Sequence, residues 1–242
     1  RQMCIRDRNS SFTGEDSLDI SLDGGISFEG VHDLENILLT CSKGGVAIGE
    51  DLLKVADTLR AARKLRKLIF DQLIRPRLSE LLKDIATLPD LQKLLEFGLD
   101  EGGRIADRAS PKLSELRRYR NSVRLQRKDI LQDIIRKNGG LLQDNVISER
   151  YGRPVLAFKA GTSDQINGMV HDSSASGNTI YVEPQVVISI GNRLAKIDSE
   201  ISDEERRLLA NWSKEVGVNA DVIAHLEEIL LRGYLKESLQ TH

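Results

Sequence analysis

The sequence predicts a mainly α-helical fold: a helical core, two long antiparallel helices, and a small antiparallel β insertion between them. Three observations lead there. Apolar residues recur at steps of three and four over most of the 242 residues. Apolar residues make up 40% but aromatics only 4%, against 30% charged, so Leu, Ile, Val and Ala carry the core, as suits long helices with charged faces. Over residues 146–182 the apolar period changes to two, with turn signals between the runs.

The elements follow in order. Residues 9–30 are acidic and Gly-rich, a loose lead-in. Val31, Leu34, Ile37 and Leu38 stand at helical spacing until Lys43-Gly44-Gly45 breaks the pattern. Residues 49–73 read as a strong helix, with Leu52, Val55, Ala56, Leu59, Ala62, Leu65 and Ile69 in one stripe and Arg60, Arg63, Lys64, Arg66 and Lys67 on the other faces. Pro76 closes it, and Pro89 divides two shorter helices over 78–88 and 91–99. Ser110-Pro111 is an N-cap followed by a first-turn proline, so a helix starts there. It runs over 111–137, about 40 Å, with a thin seam of Leu113, Leu116, Val123, Ile130 and Ile134. Such a helix is an exposed arm or one side of a coiled pair.

Asn138-Gly139-Gly140 ends it. Leu156 and Phe158, Ile166 and Val170, and Ile180 and Val182 then alternate, separated by turn signals at 152–154, 161–163 and 173–177, as in an antiparallel meander of three or four strands. Pro184 opens the second long helix, with a seam of Val187, Ile190, Leu194, Ile197, Ile201, Leu208 and Trp212 interrupted by Glu204. It is expected to run to about Glu215, break over 217–220, and give way to a last helix over 221–239. The organisation is then a segment 1–8, a helical core region 9–110, an outgoing helix 111–137, a β-rich insertion 138–183, and a returning plus terminal helix over 184–242, with the sheet at the tip of a helical stalk. Residues 1–8, R-Q-M-C-I-R-D-R, resemble translated sequencing-adapter sequence and are set aside as non-native; the chain is then a fragment.

Composition and motifs exclude several functions. A net charge of −2 supplies no global attraction for anions. Two cysteines make neither a disulfide framework nor a metal site. No apolar run approaches the ~18 residues of a membrane span, so no membrane partner is expected. Neither G-x-x-x-x-G-K-[ST], nor G-x-G-x-x-G after a strand, nor H-E-x-x-H occurs, so no cofactor or metal site is expected in this chain and no turnover by this chain alone.

Two places could carry function. The run V-H-D-S-S-A-S-G-N-T-I-Y-V-E-P at 170–184 puts His171, Asp172, Ser173, Ser174 and Ser176 side by side. A catalytic triad is disfavoured because ladder neighbours point to opposite faces and the turn is no nucleophile elbow. A metal set of His171, Asp172 and Glu183 lacks a second ligand cluster. Turn chemistry explains the run better: Asp172, Ser174 and Ser176 accept backbone N–H groups, Gly177 supplies positive φ, and Glu183-Pro184 forms a helix entrance. A partner-contacting tip is the functional alternative.

The second place is a basic helix face. Residues 104–137 hold eleven Lys/Arg against four Asp/Glu, and residues 198–242 hold five against ten. Arg117, Arg120, Arg124, Arg127 and Lys128 share one face and could neutralise phosphates without base selectivity. A solvated face, or pairing with the acidic segment folded beside it, accounts for the same pattern. Aromatic interleaving is absent apart from Tyr119.

The 170–184 run closely resembles the V-H-D-x-S-x-S-G-x-T-x-[FY]-[IV]-E-P hallmark of the MutS-two subfamily of MutS paralogues outside mismatch repair. K-G-G-V at 43–46, T-L-R-A-A-R at 58–63, A-S-P-x-L at 109–113 and R-Y-G-R-P-V-L at 150–156 resemble that family in the same order. The resemblance covers about residues 24–216, and 232–242 fits poorly. It implies a helical core and lever with a clamp-like β insertion. It also implies a longer protein that carries a MutS-type ATPase using ATP and Mg, and usually a nuclease. It further implies a homodimer, branched or duplex DNA or the ribosome as partner, suppression of recombination or rescue of collided ribosomes, and a bacterial cytoplasmic or plastid location. His171, Asp172, Ser174, Ser176, Gly177, Glu183 and Pro184 are then hallmark residues of structural role. The competing reading is a non-catalytic helical scaffold for protein contacts.

Overall fold

The computed structural model describes residues 29–68, 87–165 and 167–238. The expected lead-in up to residue 28, Ile69 with the end of its helix, the Pro76 stop, the 78–88 helix up to residue 86, and Ile166 lie outside the described residues, as do residues 1–8. The chain forms two compact units, one of residues up to 106 together with those from 208 on, the other of residues 107–207.

The first unit is helical. It contains α1 (Glu35–Ser42), α2 (Gly49–Leu68) and α3 (Pro89–Gly98). It also takes residues 208–218 of α5 (Gln185–Val218) and the helix α6 (Ala220–Ser238). The expected stripe on α2 is its buried face: Leu52, Val55, Ala56, Leu59, Ala62 and Leu65 are all in the core. Glu50 and Asp51 open α2 and Arg66 and Lys67 stand in its last described turn, so its charges complement the helix dipole. Pro89 occupies the first turn of α3, where its missing N–H costs nothing. Polar groups inside this unit are spoken for. Thr58 Oγ1 accepts the His32 N–H at 3.1 Å, Ser213 Oγ accepts the Ala47 N–H at 3.0 Å, and Glu227 accepts the Leu34 N–H at 2.8 Å. Burial pushes the Glu227 carboxyl up, against the pull of that N–H bond.

The expected break at 217–220 shrinks to Asn219. Gly217 is helical, and a Cβ there would overlap the Cys41 carbonyl. Its job is close packing rather than helix termination, which lets α5 run past Glu215 to Val218.

The second unit contains α4 (Pro111–Asn138), residues 185–207 of α5, and four strands: β1 (Leu142–Arg150), β2 (Arg153–Lys159), β3 (Gly168–Ser173) and β4 (Thr179–Pro184). Ser110 caps α4 by accepting the Leu113 N–H at 3.3 Å, as its sequence position predicts. Only Leu113, Val123 and Leu131 of α4 are fully buried, matching its thin seam. The sheet is antiparallel throughout, but its order is β1-β2-β4-β3. It is not the meander its spacing suggests. β2 is an inner strand in either order, its run Val155 to Phe158 all buried, but β4 buries Val182 and Glu183 while β3 is exposed from Gly168 to Val170. β4 therefore pairs with β2, and β3 takes the outer edge. Pro184 is the last residue of β4, opposite Gly168, and α5 begins one residue later at Gln185. Leu142, Leu156, Phe158 and Val182 of the sheet pack with Leu131 of α4 and Val187 of α5.

Candidate nucleic-acid interface

Helix α4 presents its basic face in two parts. Arg117 pairs through one Nη with Asp107 and through the other with Glu205 at 2.7 Å. Arg120 reaches Asp198 at 3.4 Å, and its Nε is buried without a hydrogen-bond partner. These two lie on the side of α4 that also carries Leu113 and Leu131, so the neighbouring stretch of α5 takes them up. The pairing with the acidic segment, which charge pattern alone left open, is realised for them. Further along the same face, Arg124 and Lys128 are exposed and Arg127 is half-buried. None of these three makes an ion pair or hydrogen bond among the described residues. Arg124, Arg127 and Lys128 are thus the cations of the predicted ridge left available to an outside anion.

The acid that interrupts the α5 seam has a purpose the sequence did not disclose. Glu204 is 2% exposed. It accepts hydrogen bonds from Ser110 Oγ at 2.8 Å and from Arg207 Nη2 at 2.6 Å and Nε at 3.1 Å, with Lys112 Nζ at 3.6 Å. Ser110 thus caps α4 with its oxygen and donates its hydroxyl proton to α5. The Arg207 hydrogen bonds, helped by Ser110 and opposed by desolvation, pull the Glu204 carboxyl down to about 2. A carboxyl depressed in the folded state contributes stability above its ordinary range, which is lost as pH falls toward the folded value. Circular dichroism should show this unit losing stability between pH ~4.5 and ~2, and Glu204→Gln should flatten that acid limb.

The 170–184 run builds the β3–β4 hairpin. Register shifts between Val170 and Asp172, so His171 is a bulged residue. Its Nε2 lies 2.9 Å from Glu183 Oε2, and Glu183 is buried with its other oxygen 3.6 Å from Arg153 Nη1. Asp172 is held elsewhere: Oδ2 accepts from Arg150 Nε at 3.2 Å and Oδ1 from the Ser173 N–H at 2.8 Å. Ser174 Oγ accepts the Thr179 N–H at 3.1 Å and lies 3.2 Å from Ser176 Oγ, while Gly177 sits at φ +69°. His171 therefore faces a carboxylate and not a serine. Among the described residues no three His, Cys, Asp or Glu side chains gather into a metal-binding group. Gly191 of α5 leaves room for the Arg153 guanidinium, 2.9 Å from where a Cβ would stand.

Two features escaped the sequence reading. Glu204 could have been found as an acid at a seam position facing a Ser-Pro cap. Tyr151, at the tip of the β1–β2 hairpin, is signalled only by a bulky residue standing where a two-residue turn calls for Asn or Gly. Among the described residues no helix is long and apolar enough to cross a membrane.

No family model matches the chain. It is 39% identical over 215 residues to the Endonuclease MutS2 of Synechocystis, covering 89% of the chain and 26% of that protein. It is 34% identical over 199 residues to the Endonuclease MutS2 of Symbiobacterium thermophilum, with 82% and 25% covered. With the Endonuclease MutS2 of Halalkalibacterium halodurans it shares 31% identity over 235 residues, covering 91% of the chain and 30% of that protein. The chain spans a quarter to a third of the length of these curated relatives.

Proposed function

Because the chain belongs to the MutS2 family, we propose that it supplies the core, lever and clamp-like part of a longer ATP-dependent protein that grips branched DNA. In this reading α4 and α5 are the lever arms and the four-stranded sheet is the clamp. Nucleotide hydrolysis with ATP and Mg, and any nuclease step, fall to other parts of the longer protein. The observation that carries the reading is the free cationic stretch Arg124, Arg127 and Lys128 on a long helix with only three buried side chains. Cations on a helix face neutralise phosphates without reading bases, as a grip on DNA of any sequence requires.

The test separates the two halves of the basic face. Arg124→Glu with Lys128→Glu should weaken binding to a four-way DNA junction roughly tenfold at low salt, uniformly across sequences, with the circular dichroism unchanged. Arg117→Glu should instead destabilise the fold by breaking two ion pairs. The pairing of Arg117 and Arg120 with acidic residues favours the scaffold reading for that half of the helix. If Arg124→Glu with Lys128→Glu leaves junction binding intact, the scaffold reading extends to the whole face.

A further inference from the structure

The β1–β2 hairpin closes on two residues, Tyr151 and Gly152, at φ +51° and +74°. Two positive φ values in succession make a primed turn, the kind that matches strand twist and is normally built from Asn-Gly or Asp-Gly. Tyr151 is the one non-glycine residue at positive φ among those described. A Cβ in that region crowds the following carbonyl, so the side chain works against the turn. Nor does folding recover the cost through the ring. Tyr151 is 84% exposed, the most exposed large apolar side chain among the described residues, and makes no hydrogen bond there. A strained residue whose side chain contributes nothing to its own fold points to a role outside it.

The hairpin beneath the ring is braced by arginines. Arg150 and Arg153 face each other in register. Arg150 stacks its guanidinium 3.9 Å from the Tyr181 ring centre and holds Asp172, so it is committed inward. Arg153 lies beside buried Glu183 yet keeps 40% of its side chain exposed. The tip therefore offers one projecting aromatic ring with a part-exposed guanidinium at its base. Along β1 the exposed Val146 and Ile147 are separated from it by Ser148, Glu149 and Arg150, so the ring is flanked in the chain by polar and charged residues, with Arg150 before it and Gly152-Arg153 after it. We propose that Tyr151 is a stacking contact for an unpaired base of DNA, with Arg153 placed for the adjoining phosphate. Every base offers a π-face, so such a contact favours unpaired DNA without reading its sequence.

The inference rests on the DNA-gripping function proposed above, and the experiment separates the two. Affinities of the full chain are measured for a paired duplex and for the same duplex carrying an internal loop of unpaired thymines. The unmodified chain should prefer the looped duplex by about tenfold. Tyr151→Ala should bring that preference close to one while leaving paired-duplex affinity unchanged, and Tyr151→Trp should retain it. Tyr151→Asn, which relieves the turn, should lose the preference while raising the melting temperature, so the loss cannot come from misfolding. A preference that survives Tyr151→Ala, or its absence from the unmodified chain, overturns the stacking assignment alone. Absence of binding to either DNA overturns the grip as well.

Discussion

Glu204→Ala should lower the unfolding free energy of the second unit by about 2 kcal/mol at neutral pH, read as a drop in the denaturant midpoint. One carboxylate ties the start of α4 to α5 through Ser110, and it also anchors Arg207 and Lys112. Removing it leaves the Ser110 hydroxyl proton without its acceptor in a buried place and takes a negative charge from beside a helix N-terminus. The loss stays well below that of a fully enclosed ion pair because Arg207 and Lys112 are mostly in solvent. Ser110→Ala should reproduce part of the effect. The double variant should lose less than the sum, since the two residues share one hydrogen bond. An additive double variant would mean that the cap and the carboxylate act separately.

Gly98→Val should cost the first unit about 3 kcal/mol or more. The last residue of α3 lies flat against Trp212, and a Cβ at position 98 would overlap the six-membered ring. Trp212 is itself buried, so neither partner has space to retreat. Gly98→Ala should cost less, about 2 kcal/mol, because alanine restores helix propensity worth up to ~1 kcal/mol. The chain has one tryptophan, so its fluorescence reports directly on this contact. Trimming the ring with Trp212→Leu should make Gly98→Ala nearly neutral in that background, and an unchanged penalty would mean that the clash is not with Trp212.

How far the sequence spoke depended on whether an element is specified locally. The α2 stripe, the Ser110 cap and the turn at Gly177 are each set by a few neighbouring residues and stand where their signals put them, whereas α3 begins at Pro89 itself rather than at 91, the proline serving as a first-turn residue instead of a divider. The strand order is a tertiary choice. Alternation identifies strands but not their neighbours, and nothing in the spacing says that β4 rather than β3 lies beside β2. Gly217 looked like a stop because a glycine that breaks a helix and one that lets another chain approach are alike in sequence. At the candidate site, helical spacing correctly grouped Arg117, Arg120, Arg124, Arg127 and Lys128. It could not say that the first two would be claimed by Asp107, Glu205 and Asp198, because those partners lie up to 88 positions away. Asp172 and Ser174 accept backbone N–H groups as their chemistry suggests, Ser176 lies instead against Ser174 Oγ, and the bulge that turns His171 onto Glu183 depends on register with β4, which spacing does not reveal.

The most direct test of the nucleic-acid grip is a salt titration of the unmodified chain binding a four-way DNA junction. Three free cations meeting phosphates predict that the logarithm of the binding constant falls linearly with the logarithm of salt concentration, with a slope of about −3. Arg124→Glu with Lys128→Glu should reduce that slope by about 2. No binding at low salt, or binding indifferent to salt, would contradict the account.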